Sequence, residues 1–351
     1  MFSSALRTAL VALAASAVAV SAERGLSLKV SGPEAVDGVD NLKVTTTLVN
    51  TGDETLKLLN DPRGALHTLP ANTFDIIADS GASPSFTGVK VKYVPSVAAK
   101  GTDESLFTVL APGESVSVVH DLSAAYNFTT SGATTYTVEP SNLFHFVDPV
   151  TSEPVEIRAD AEAHVAAVSG KLAIARRSRF SKRETYVGCS TSQKSALTTA
   201  APNALTYATN AKSYLTANTA STTRYTTWFG TYTAARHSTV LSHFTNLAGN
   251  SYSTFTYDCT CTDSGTYAFV DPSDFGYITL CGAFWDAPAT GTDSKAGTLI
   301  HESSHFTKNG GTDDVVYGQT AAKALAKSSP AQAITNADSH EYFAENNPSQ
   351  S

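Results

Sequence analysis

His301-Glu302-Ser303-Ser304-His305 decides how this chain is read. The five residues form an H-E-x-x-H motif. On a helix, positions i and i+4 lie about 400° of rotation apart, so both imidazoles leave one face and can grip one ion. Glu302, one step round, can reach a water on that ion and act as its general base. Two surface histidines at chance spacing are the plain alternative, and the flanking residues weigh against it. Ala296, Leu299, Ile300 and Phe306 supply an apolar stripe at helical spacing. Asp293 or Ser294 can cap the start, and Gly310-Gly311 can end the helix soon after His305.

A catalytic zinc takes three protein ligands and keeps a fourth position open. The metzincin continuation needs glycine at 308 and histidine at 311 with a methionine turn. This chain has Lys308 and Gly311, and its only methionine is Met1. A glutamate from a later helix (Glu341 or Glu345) and an aspartate from the following loop (Asp313 or Asp314) remain candidates.

The loop continues Gly311-Thr312-Asp313-Asp314-Val315-Val316-Tyr317-Gly318. H-E-x-x-H followed by G-T-x-D-x-x-Y-G resembles the aspzincins, the deuterolysin family of metalloendopeptidases. The resemblance implies a zincin-like domain with one Zn2+ on His301, His305 and Asp314. It also implies Glu302 as base and Tyr317 as an auxiliary hydrogen-bond donor, with Asp313 towards solvent. Tyr225-Thr226-Thr227-Trp228-Phe229-Gly230, Cys281-Gly282-Ala283-Phe284-Trp285 and Glu345-Asn346-Asn347-Pro348 resemble one branch of that family. This peptidyl-Lys branch cuts on the amino side of lysine. The likeness covers essentially 184–351 and implies that Asp338 and Glu341 line a pocket for the substrate lysine. Two readings compete: a deuterolysin with another preference, and a secreted binding module that keeps zinc for stability alone.

The chain has 351 residues and a formal net charge of -8, room for two domains and no basis for nucleic-acid binding. Residues 1–22 carry Arg7, an apolar Ala/Val/Leu stretch and a Val20-Ser21-Ala22 ending. They read as a signal peptide cut after Ala22. Nothing later suggests a membrane span, so a secreted, extracellular product is expected. Arg176-Arg177, Arg179 and Lys182-Arg183 form a basic run in an acidic chain, with Lys182-Arg183 a dibasic processing site. Residues 23–183 are therefore read as a propeptide and 184–351 as the catalytic domain. The expected partners are lysine-containing proteins and the chain's own propeptide, and the mature form is expected to be monomeric.

Cys189, Cys259, Cys261 and Cys281 all follow the dibasic site and imply two disulfides. Geometry disfavours Cys259 with Cys261. The resemblance selects Cys189–Cys259 and Cys261–Cys281. Asn127-Phe128-Thr129 is a glycosylation sequon.

The alternation of Leu42, Val44, Thr46 and Leu48 predicts strands in the propeptide, with more at Val89 to Val94, Ser115 to His120 and Thr134 to Val138. The expected propeptide is an all-β, small antiparallel sandwich. In the catalytic half, helices are expected at Thr191 to Ala217 (notched at Pro202), Thr233 to Asn246 and Ser294 to Thr307, with two short ones closing the chain. Strands are expected at Ser253 to Thr260, Thr266 to Val270 and Tyr277 to Cys281. Segregated helices and strands predict an α+β class. His237 and His243, six apart, cannot share a metal and read as ordinary structural or surface histidines.

Overall fold

A computed structural model describes residues 24–174 and 185–351. The signal cleavage at Ala22, the Lys182-Arg183 site and Glu184 lie outside the described residues.

Strands dominate 24–174. Alternating apolar residues bury one face of each: Lys43–Asn50 buries Val44, Thr46, Leu48 and Asn50 and exposes or half-exposes the residues between. It pairs antiparallel with Leu26–Ser31 on one side and Ser115–Asp121 on the other. A second sheet runs Ala35–Asp37, His164–Ser169, Thr134–Pro140 and Phe74–Ala78; a third runs Pro154–Arg158, Leu143–Val147, Leu56–Leu59 and Phe107–Leu110. Two apolar cores fill the space, one around Val44, Phe128 and Tyr136, the other around Leu28, Leu58 and Phe146. The expectation of a small antiparallel sandwich needs correction in two pairings. Asp160–Glu162 lies parallel to Leu26–Ser31, and Ala35–Asp37 parallel to His164–Ser169. There is also a four-residue helix, Pro95–Ala98.

In 185–351, helix Thr191–Ala217 starts on a capping box in which Ser190 and Gln193 satisfy each other's backbone N–H. Its buried face is mostly alanine (Ala200, Ala201, Ala204, Ala208, Ala211), which lets helices Ala234–Ala248 and Lys295–His305 approach closely. The sheet order is Tyr186–Val187, Thr256–Asp258, Tyr277–Leu280, Thr266–Val270 and then Lys90–Tyr93. Disulfides Cys189–Cys259 and Cys261–Cys281 tie its loops.

That fifth strand comes from the N-terminal half. Val89 to Val94 was expected as a strand of the propeptide's own sheet. Instead Lys90–Tyr93 pairs antiparallel with the edge strand Thr266–Val270, with Lys92 opposite Ala268 and Val91 opposite Phe269. Alternation specifies a strand but not the sheet it joins, and an exposed edge recruits any extended segment brought to it.

The motif helix runs Lys295–His305, shorter than expected. Ser294, not Asp293, caps it by accepting from Gly297 N–H at 2.9 Å. It stops at His305, before the glycine pair; both glycine N–H groups then reach back to Phe306 O, and Gly311 takes φ 56°. The C-terminal helix Ala337–Glu345 packs along it with every residue buried. A Cβ on Gly297 would come within 2.1 Å of Glu345 Oε1 and 2.9 Å of Glu341 Oε1, so glycine is what lets this acidic helix lie so near.

Candidate metal centre and substrate cleft

His301 and His305 leave one face of the motif helix with ring centroids 4.9 Å apart. Their Nε2 atoms converge on Asp314 Oδ1, at 3.0 Å from His301 and 3.2 Å from His305. Ligands about 2.0–2.1 Å from a tetrahedral zinc stand roughly 3.3 Å apart, close to these separations. The loop that returns Asp314 is pinned on both sides. Asp313 N–H donates to Thr335 O at 2.7 Å, and Asn336 Oδ1 accepts from Val315 and Val316 N–H, both at 3.1 Å.

The Nδ1 atoms have polar neighbours of their own. His305 Nδ1 lies 2.9 Å from Thr312 O, and His301 Nδ1 lies 2.8 Å from Asp338 Oδ1. With the protons on Nδ1, both Nε2 lone pairs face Asp314. His305 Nε2 is fully buried and has no hydrogen bond. An orphaned imidazole nitrogen beside a second one and a carboxylate is costly unless a cation joins them, so the donor set fits zinc.

Glu302 is wholly buried; its Oε1 accepts from Lys92 N–H at 3.2 Å, and its Oε2 has no hydrogen-bond partner. Burial drives its carboxyl well above the usual range. For Asp314, burial works upward too, but His305 and His301 win and hold the carboxyl well below its ordinary value. The Tyr317 ring lies 6.4 Å from that of His301, and its hydroxyl donates to Val91 O.

Asp338 and Glu341, expected together as pocket residues, have different nearest partners. Asp338 Oδ1 lies beside His301 Nδ1, and its Oδ2 accepts from Gly318 N–H at 2.6 Å. Glu341 Oε2 bonds the Lys92 ammonium and stands 3.4 Å from His301 Nδ1. The other partner of that ammonium is Asp293 Oδ1 at 3.3 Å, itself held by Tyr342 Oη–H at 2.6 Å. Burial pulls the Lys92 ammonium down, but Glu341 and Asp293 keep it charged. Glu345 accepts from Ser294 N–H and Oγ–H at 2.9 and 2.8 Å, and burial pushes its carboxyl up to about 9. Asp313 is exposed and pairs with Lys90. His243 Nδ1 sits 3.0 Å from His340 Nε2, and His237 packs against Tyr225 and Tyr232.

Sequence reasoning missed Asp293 and Lys92. In sequence Asp293 reads only as a helix cap, and its φ of 50° turns the carboxylate inward instead.

The model of the family described as "Lysine-specific metallo-endopeptidase", the aspzincins, matches residues 214–345. The chain is 64% identical over the whole of both chains to the peptidyl-Lys metalloendopeptidase of Grifola frondosa. The chain belongs to the aspzincin family. The peptidyl-Lys metalloendopeptidase of Armillaria mellea is 58% identical, again over the full length of both. An extracellular protease of Aeromonas hydrophila is 33% identical over 89% of this aspzincin and 90% of its own chain. Among solved structures, a zinc peptidase from Grifola frondosa is 60% identical, covering 46% of this chain and all of its own, with a TM-score of 0.46. Like its relatives, this aspzincin is a metalloendopeptidase.

Proposed function

We propose that this aspzincin is a secreted zinc endopeptidase, made as a preproenzyme, that cuts proteins on the amino side of lysine. The convergence of His301 Nε2 and His305 Nε2 on Asp314 Oδ1 carries the reading. Those three residues would hold the zinc, which supplies a Lewis acid and makes water acidic enough to ionise near neutral pH. Glu302, buried and with one free oxygen, takes the proton from the attacking water and delivers it to the leaving amine. Tyr317 Oη–H donates to the oxygen of the carbonyl under attack, a role supported by its bond to Val91 O. Asp338 orients His301. Glu341 and Asp293 bind the lysine ammonium, in keeping with the name of the peptidyl-Lys relatives.

The organisation that goes with this reading is a signal peptide (1–22), a propeptide (23–183) released after Lys182-Arg183, and the enzyme (184–351). The extracellular relative and the two disulfides support export. No helix among the described residues is long and apolar enough to cross a membrane. Asn127, half-buried on the short strand Tyr126–Asn127, would carry a glycan. Mapping the sites cut in a denatured protein mixture, with and without a zinc chelator, tests the proposal. New N-termini should begin with lysine and vanish on chelation. Chelator-resistant cleavage, or cuts indifferent to lysine, would refute it.

A further inference from the structure

We propose that Lys90–Tyr93 is a built-in substrate mimic: Lys92 fills the lysine site and the Val91–Lys92 peptide lies where the cleaved bond of a substrate goes, closing the cleft. The inference rests on the lysine reading of that site and extends it to the chain's own N-terminal half.

The two ends of one peptide unit meet the two catalytic groups. Val91 O accepts from Tyr317 Oη–H, and Lys92 N–H donates to Glu302 Oε1 at 3.2 Å. These are the atoms that, in a substrate cut before lysine, become the oxyanion and the leaving amine. The side chain agrees. Lys92 is fully buried, its ammonium shared between Glu341 and Asp293 and 5.0 Å from the Tyr267 ring centroid. Burying a lysine is costly unless carboxylates meet it, so a contact serving only to join two domains is better made by an apolar residue.

The backbone holds this register by pairing with Thr266–Val270, as an extended peptide adds to a sheet edge. Val91 N–H donates to Asp314 Oδ2 at 2.9 Å, and Lys90 pairs with Asp313 on the rim. Arg63, also from the N-terminal half, covers the Tyr317 ring at 3.9 Å. Tyr93 packs with Leu59, Ala98, Ala99 and Tyr317. A protein substrate cannot enter while this strand is seated, because both need the same sheet edge, the same carboxylates and the same two catalytic side chains.

The test uses the full chain with Arg176, Arg177, Lys182 and Arg183 changed to Gln, so that the halves stay joined, carrying Lys92, Lys92→Ala or Lys92→Met. Methionine keeps the packed stem and loses the charge. Secretion yield reports folding, and the processed enzyme has the same sequence in all three. On a quenched peptide with a single lysine, the joined Lys92 chain should run at least about 100-fold slower than processed enzyme. Both variants should recover at least tenfold. Separately, a chain with its natural linker is stripped of metal and cut with a dibasic-specific protease. Its halves should dissociate at concentrations at least about 30-fold higher for Lys92→Met than for Lys92. Joined variants as slow as the parent, or halves held equally tightly, overturn the proposal. Processed enzyme inert on the lysine peptide would instead sink the lysine reading, while the metal-free halves still report whether Lys92 is the anchor.

Discussion

Replacing Glu341 with Gln keeps the shape of the proposed lysine site and removes one charge. Glu341 and the ammonium it meets are both fully buried, whereas the Asp293 side chain is 22% exposed, lies 3.3 Å away and shares its charge with Tyr342. Truncating one partner of a buried, hydrogen-bonded charge pair costs about 2–5 kcal/mol. Glu341→Gln should therefore lower kcat/KM on a lysine peptide by roughly 30- to 5,000-fold. Asp293→Asn, wetter and more distant, should cost about 1–2 kcal/mol, or roughly 5- to 30-fold. The decisive control is a second peptide with norleucine in place of lysine, which has the stem and no charge. On it Glu341→Gln should lose nothing and can gain, since one buried charge fewer awaits a partner. Bound zinc must be measured alongside, because Glu341 Oε2 lies 3.4 Å from His301 Nδ1. Equal losses on both peptides would mean that Glu341 supports the metal centre and not specificity. Unchanged activity on both peptides would refute the ammonium site outright.

Glu302→Gln should leave zinc bound at the level of the parent and lower kcat by about 10²–10⁴-fold, the usual worth of a general base; near-normal turnover removes Glu302 from that role. Tyr317→Phe should lower kcat by roughly 10–10³-fold with a smaller change in KM, because its hydrogen bond to the carbonyl oxygen strengthens as charge develops there; a loss confined to KM contradicts this. Burial pushes the His340 imidazole down to about 3, and His243 beside it adds to the effect. A base depressed on folding gives stability that is full above its unfolded value, about 6.5, and is lost as pH falls towards about 3. Denaturant midpoints should fall over that window, and His340→Gln should flatten the slope; an unchanged slope assigns the acid lability elsewhere.

What could be read from the sequence follows from how local each signal is. Residues 301–305 sit on one helical turn, so spacing alone placed both imidazoles and Glu302. The loop to Asp314 is short and glycine-broken, and the motif resemblance named the carboxylate that returns. Helix Thr191–Ala217 matched in both limits because its capping residues and its alanine face lie in one continuous stretch. What escaped depends on contacts between distant segments. Val89-Lys90-Val91-Lys92-Tyr93-Val94 alternates like a half-exposed strand, which would put both lysines in water. Lys92 instead is buried against carboxylates some 200 residues later in the chain. Asp293 escaped for a related reason. Beside Ser294 it looks like a helix cap, and only a positive φ turns it towards Tyr342 and the ammonium. The split between Asp338 and Glu341 was equally hidden, since three-residue spacing puts both on one side of a helix without saying which meets His301.

Metal content and X-ray absorption of the processed enzyme bear most directly on the chemistry. One zinc per chain is expected, with two imidazole nitrogens and one carboxylate oxygen from protein, and its loss in Asp314→Ala with the fold retained. A chain that folds and cleaves without stoichiometric metal, or a zinc closed by four protein ligands, would contradict the hydrolytic site.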